Sequence, residues 1–392
     1  VAFIDLLGFG IVIPLIPYYA ETFGASPLMV GLVIASYAAA QFIGAPIIGR
    51  FSDRYGRRPA LLITILGNAI GFIVFGFASS VWMLFAGRIL SGITGGNVSV
   101  VQAYVADVTD VKNRARGLGL IGAAFGVGFI IGPALGGTLS AFGYNVPVLL
   151  AAGLGLLNFI AALAFLPESL SAERRAELMA NANPRMGFSL GALVDALKHP
   201  HVGPLLNARF FYSLAFNLFQ GIFPLYAQLA FGLSALQTGY VFTYIGVLLV
   251  IVQGVLVGRM TARWSEYRLM LAMTILTAFG MFGWGLAPNL AFLLVVFIPL
   301  SLAVGSFNTI INSALSKVVP TEEIGGTLGL SASLDSFTRI FSPAMGGWLI
   351  EVLGTWSPGL LGGIIVVLLV LFTWRDLYYA QMPASPLVER SG

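Results

Sequence analysis

Apolar runs about as long as a bilayer is thick recur along the whole chain, and they constrain its fold more than any other feature. A spanning helix needs roughly 20 consecutive apolar residues. Twelve such runs can be placed, near 1–20, 29–50, 60–80, 82–108, 116–141, 144–166, 203–230, 236–258, 269–287, 289–315, 324–353 and 357–376. Lipid cannot satisfy an exposed backbone N–H or C=O, so each run is expected to close its hydrogen bonds internally, as a helix. The expected fold class is therefore all-α and polytopic. Only 9% of the residues are charged, against about 25% in a typical soluble domain. The 48 glycines suit helices that must approach closely where burial supplies no drive between them.

Charge is distributed with equal regularity. Of the 20 Lys and Arg, 17 lie at or beside alternate loops, at 50–58, 112–116, 174–198, 259–268, 317 and the C-terminal tail. By the positive-inside rule both termini are expected on the cytoplasmic face. The net charge of +4 does not point to nucleic acid, because the basic residues are not gathered on a soluble domain. Cysteine is absent, which removes disulfides and thiolate chemistry, and His199 and His201 sit together in a loop, so no histidine metal cluster is expected. No zinc motif, Ser/His arrangement or nucleotide loop points to an enzyme. No signal peptide is visible, and Val1 lies inside an apolar run, so a few native residues are expected to precede it.

The longest non-spanning stretch, Pro167 to Pro200, divides the chain into six spans plus six. The expected domains are a six-helix bundle over 1–166, a cytoplasmic linker over 167–200, a second bundle over 201–380 and a tail over 381–392. Two linker segments, "SAERRAELMA" and "SLGALVDALK", could form short surface helices. Internal echoes support the division. "GRFSDRYGRR" from Gly49 answers "GRMTARWSEYR" from Gly258, "IIGPALGGTLS" from Ile130 answers "IFSPAMGGWLI" from Ile340, and "FGAS" at Phe23 answers "FGLS" at Phe231. Paired six-helix halves are the architecture of secondary transporters with a site at the midplane between them.

"GRFSDRYGRRPALL" resembles the signature loop between the second and third spans of the major facilitator superfamily. That resemblance implies a conformational latch formed by Gly49, Asp53, Arg54, Gly56, Arg57 and Arg58, and Asp107 at the end of span four is placed to join it. The second copy has Ala262 in place of Asp53. "GRILSGITGGNVSVVQAYVADVTD" resembles span four of the drug:proton antiporters of this superfamily, which implies a part in proton transfer for Arg88. The alternative is that Arg88, six residues past Trp82, snorkels to the outer surface. "GAAFGVGFIIGPALGG" resembles the antiporter motif of span five. Its Gly122, Gly126, Gly132, Gly136 and Gly137 would form a groove for another helix, and Pro133 a bend. "DLLGFGIVIPLIPYYAETFG" resembles span one of the same exporters, with Asp5, Gly8, Pro14 and Pro17 in register. Residues 1–168 are most similar to the tetracycline:proton antiporter branch. Residues that branch uses for its metal-chelated drug are replaced here, by Gly71 in span three and Leu249 in span eight, and span nine holds no acidic residue.

Without a spanning histidine or cysteine, a proton carrier must be a carboxylate. Asp5 and Asp335 are the intramembrane candidates, Glu21 and Glu351 lying at the outer rim. Asp5 stands about 15 residues before the outer end of span one, roughly 22 Å at 1.5 Å per residue. Either it is an intramembrane carrier, or it sits near the cytoplasmic interface. Asp335 and Arg339 are four residues apart on one face of span eleven, so they can pair with each other. They are either a neutral structural staple or a pair parted by a proton or an anionic substrate group. Arg209, Ser213, Asn217 and Gln220 share a face of span seven, and Tyr37 and Gln41 and then Asn308 and Asn312 repeat the four-residue spacing. These polar groups either line a largely apolar substrate cavity or bond helix to helix.

Together these readings imply a twelve-helix major-facilitator protein that exports small amphipathic compounds in exchange for protons, or an importer, facilitator or lipid transporter of the same fold. It would need no cofactor, with the proton gradient as its energy source. It would sit in the inner membrane of a prokaryote, functional as a monomer, with the substrate, protons and the lipid bilayer as its partners.

Overall fold

A computed structural model describes residues 1–171, 173–176, 190–320 and 323–378. Eleven of its helices are long and apolar enough to cross a membrane among those residues. The twelfth expected span is the 30-residue helix Ile324–Leu353. It falls outside those eleven because Asp335, Arg339 and a run of Ser and Thr lower its hydropathy.

Local chemistry explains where the spans begin, end and break. Span one runs through Ala2–Val12, a 3-10 turn at Ile13–Leu15 and Ile16–Glu21, with Pro14 and Pro17 removing donors around the turn. Span two, Pro27–Tyr55, starts at Ser26, whose hydroxyl accepts from the Met29 N–H. A single residue, Gly56, joins it to span three, Arg57–Gly76, at φ +115°, which disfavours any residue with a Cβ. Span four is two helices, Val81–Ile93 and Asn97–Val108, interrupted at Thr94–Gly96. Span five, Val111–Leu139, is capped by Asp110, which accepts from the Asn113 N–H. Span six is Asn145–Phe165 and span seven Gly203–Phe231. Span eight runs from Ala235 to Arg263 through a π-helical turn at Val252–Leu256. Spans nine, ten and twelve are Glu266–Gly285, Leu290–Lys317 and Ser357–Phe372. Of the two expected linker helices, Leu190–Lys198 is present and 173–176 are helical, while 172, 177–180 and the tail 381–392 lie outside the described residues.

The chain forms two compact units. One comprises Val1–Gly187, Gln220–Val250 and Arg339–Ser357, the other Phe188–Phe219, Ile251–Thr338 and Pro358–Gly392. In the first, span five lies between spans one and eight. A Cβ on Gly132 would sit 2.8 Å from Gly10, and one on Gly136 would overlap the Ile11 backbone. Gly137 approaches Ala235 and Leu236, and Gly126 the Val250 side chain. Four of the five antiporter-motif glycines thus make close contacts, while Gly122 faces open space. The echoed motif does the same: Pro343 packs on Gly31 of span two, and Gly347 on Pro27. The second unit packs around the Tyr212 ring, stacked on Phe307 at 3.6 Å between centroids, with Leu205, Met270, Ile311 and Leu315 in the same cluster.

Candidate functional site

Asp5 projects from span one into a buried polar cluster and is 8% exposed. Asn97 donates to its Oδ2 at 2.6 Å, and Asn158 Nδ2 lies 3.5 Å from its Oδ1. Asn97 is the first residue after the break in span four, and Asn158 lies on span six. Among the described residues, the side chains bonded to this carboxylate are therefore neutral amides, not cations.

Arg88 is 3% exposed, so it does not snorkel to a surface. Its guanidinium carbon lies 4.3 Å from the centre of the Tyr37 ring, a cation–π geometry. Its Nε and Nη1 are buried without a hydrogen-bond partner among the described residues. Arg339 is exposed, and it and Asp5 also act electrostatically on Tyr37. Gln41 donates to the Gly95 carbonyl at 2.7 Å, a helix-to-helix bond that takes up an acceptor freed by the helix break.

The residues of the signature loop meet around Arg57, where a latch would form. Arg57 donates through Nε to Asp107 at 2.9 Å and through Nη1 to Asp53 at 2.5 Å and Ser52 at 3.0 Å. Glu168, from the "FLPES" that follows span six, accepts the backbone N–H groups of Arg57 and Arg58, capping span three with a negative charge. Ser169 donates to Asp107, and Arg58 donates to the Leu163 carbonyl. Arg54 stays at the rim over the Tyr55 ring, and Gly49 meets nothing within 4 Å.

In the second unit Asp335 Oδ1 lies 3.6 Å from Arg209 Nη2 of span seven. Arg209 also donates to Asn308. Asn217 donates to Thr338 at 2.8 Å. Ser213 is buried on the same face of span seven; Gln220 is half-buried and belongs to the first unit, and Asn312 is exposed. Glu266, at the start of span nine, accepts from Lys317 and Ser313 at the end of span ten. Glu266 and Lys317 stand 209 and 210 residues after Arg57 and Asp107, so this clip is the repeat of the latch with its charges reversed.

Sequence reasoning missed Asn97, Asn158, Glu168 and the Glu266–Lys317 clip. The repeat offset could have found the clip. Nothing local marks the two asparagines, whose partner is 92 and 153 residues away.

The profile of the Major Facilitator Superfamily matches residues 1–256 and, in a second match, 205–390. The chain is 31% identical over 396 residues to a class H tetracycline resistance protein of Pasteurella multocida, covering 98% of this chain and 95% of that one. It is 30% identical over 371 residues to solute carrier family 67 member A1 of Homo sapiens, covering 92% and 87% of the two chains. In fold it is similar to a human organic anion transporter, with a TM-score of 0.69 at 23% identity over 95% of this chain and 96% of that one. A D-xylose–proton symporter gives 0.75 at 19% identity over 96% of both. The chain belongs to the major facilitator superfamily and is a multi-pass membrane transporter.

Proposed function

We propose that the protein exports small amphipathic compounds by alternating access, each step coupled to proton uptake and release at Asp5. One observation carries this reading: the side chains bonded to the buried Asp5 carboxylate, among the described residues, are two carboxamides. Burial disfavours a carboxylate's charged form, and protonating Asp5 leaves no bonded cation stranded. Asp53 and Asp107 share the buried Arg57 and Asp335 lies against the buried Arg209, so neutralising any of them takes a counter-charge from a buried guanidinium, a costly event. Arg88, Arg339 and the Arg209–Asp335 pair are assigned to setting the electrostatics around the carrier and the compound. Tyr37, Ser213, Asn217, Gln220 and Asn312 remain the candidate polar contacts for the compound. A lipophilic drug-like substrate is supported by the tetracycline and multidrug resistance relatives. The changes at Gly71 and Leu249 argue against the metal-chelated tetracycline itself. The alternate basic loops favour cytoplasmic termini in a bacterial inner membrane, and the monomer is the proposed working unit.

The test is flux in proteoliposomes under an imposed pH gradient, with lipophilic dyes and drugs as probes. Substrate should move against its gradient as protons run down theirs. Asp5→Asn should lose gradient-driven movement by at least tenfold while keeping downhill exchange. Export that ignores the pH gradient and survives Asp5→Asn would sink the proposal.

A further inference from the structure

The lower segment of span four touches both functional clusters of the first unit. Asn97, its first residue, donates to Asp5, and Asp107, near its last, accepts from Arg57 in the latch. Between them runs an uninterrupted helix, Asn97–Val108. Ten residues at 1.5 Å each make a rod of about 15 Å from carrier to latch. At its upper end the rod is separated from Val81–Ile93 by the break at Thr94–Gly96. That break rests on span two: Gln41 holds the Gly95 carbonyl, and a Cβ on Gly96 would lie 3.0 Å from Ala45. The segment is therefore a stiff rod with a pivot at one end and a functional contact at each end.

We propose that the Asn97–Val108 rod transmits the protonation state of Asp5 to the Arg57 latch, with Asn97 as the positioning residue that reads the carboxylate. The inference rests on Asp5 being the proton carrier. While Asp5 is ionised, Oδ2 accepts the Asn97 N–H and fixes the rod's upper end. A proton arriving on Oδ2 turns that acceptor into an O–H donor facing another donor, so the bond is lost. The rod then tilts about the break, and Asp107 leaves Arg57. The other groups facing Asp5 are Asn158 from span six and Tyr37 from span two. Nearby on span one, Gly128 and Gly132 of span five pack on Leu6 and Gly10, and the Phe72 ring of span three packs on Gly8. Of the side chains hydrogen-bonded to Asp5, only Asn97 stands on a helix that also gives a side chain to Arg57. Linkage makes the effect reciprocal: opening the latch must raise the proton affinity of Asp5.

The chain has no cysteine, so a single introduced thiol reports cleanly. Ser52→Cys lies fully buried beneath Arg57, and Tyr55→Cys, at a half-exposed position, corrects for the thiol's own pH dependence. The ratio of their maleimide labelling rates is measured against pH in purified protein without substrate or gradient. It should rise at least threefold on acidification. Asp5→Asn should hold it high at every pH. Asn97→Ala should remove the step, whereas Asn158→Ala, which touches Asp5 from a helix that gives no side chain to Arg57, should move its midpoint and keep it. If Asn97→Ala does not fold, Asp107→Asn should move the titration of the Asp5 carboxyl band, read by infrared difference spectroscopy, to higher pH. A flat ratio in the Ser52→Cys protein, a step that survives Asn97→Ala, or an unmoved carboxyl band in Asp107→Asn overturns the proposal. An Asn97 amide that simply rotates to accept from the protonated acid would give the flat ratio. Flat labelling beside intact proton-driven flux would sink the rod alone, whereas lost coupling in the flux assay would sink the carrier.

Discussion

Arg57 sends Nε to Asp107 and Nη1 to Asp53 and Ser52, three acceptors spread around one planar fork. A lysine is a compact point charge and cannot span that arrangement. Its side chain is 8% exposed, so an acceptor left behind would be poorly rehydrated, although the half-exposed Asp53 contributes little by itself. Arg57→Lys should lower stability by about 1–3 kcal/mol, the cost of leaving a partly buried acceptor unsatisfied, and thermal unfolding in detergent would measure it. Asp53, Arg57 and Asp107 were legible because the signature motif places them. Glu168 was not, since it reaches Arg57 across 111 residues and its role exists only once span six is folded beside span three. The partner of the Gln41 amide was not legible for a related reason. Helical spacing shows which face it occupies, but not that a carbonyl would be freed opposite it at Gly95. For Asp335, spacing suggested Arg339 as a partner, and tertiary structure adds Arg209 from another span.

At the scale of the element, the glycines of span five separate into two kinds. Gly136 and Gly132 receive the backbone of span one, so a side chain there must force two helices apart, whereas Gly122 meets nothing. Gly136→Leu should therefore destabilise the protein by at least the roughly 1–3 kcal/mol of an overpacked core and abolish transport. Gly122→Leu should leave both within twofold or a few tenths of a kcal/mol. Denaturation midpoints and flux of the two variants compare them directly. All twelve spans were legible from length and polarity, because lipid leaves a spanning backbone no other solution. The break in span four was not. "TGG" reads as a place for close packing, and whether it also interrupts the helix depends on what span two offers the freed carbonyl.

Across the whole molecule the two units use one plan with opposite charges. In one, an acid on the first span of its sequence half is held by an asparagine from the fourth span of that half, Asp5 by Asn97. In the other, a base on span seven is held by an asparagine on span ten, Arg209 by Asn308. The latch and its repeat follow suit, Arg57 with Asp107 against Lys317 with Glu266. The long helix Ile324–Leu353 has a consequence for how the protein is made. An Asp and an Arg near the middle of a span each oppose insertion by about 2.5–3.5 kcal/mol, and this helix carries both and is too polar to join the other eleven. Yet span seven presents Arg209 to Asp335 and Asn217 to Thr338. The ribosome completes span seven long before span eleven, so the earlier helix must wait at the insertion machinery to chaperone the later one into lipid. Glycosylation mapping should find Ile324–Leu353 translocated when it is synthesised alone and integrated when span seven precedes it.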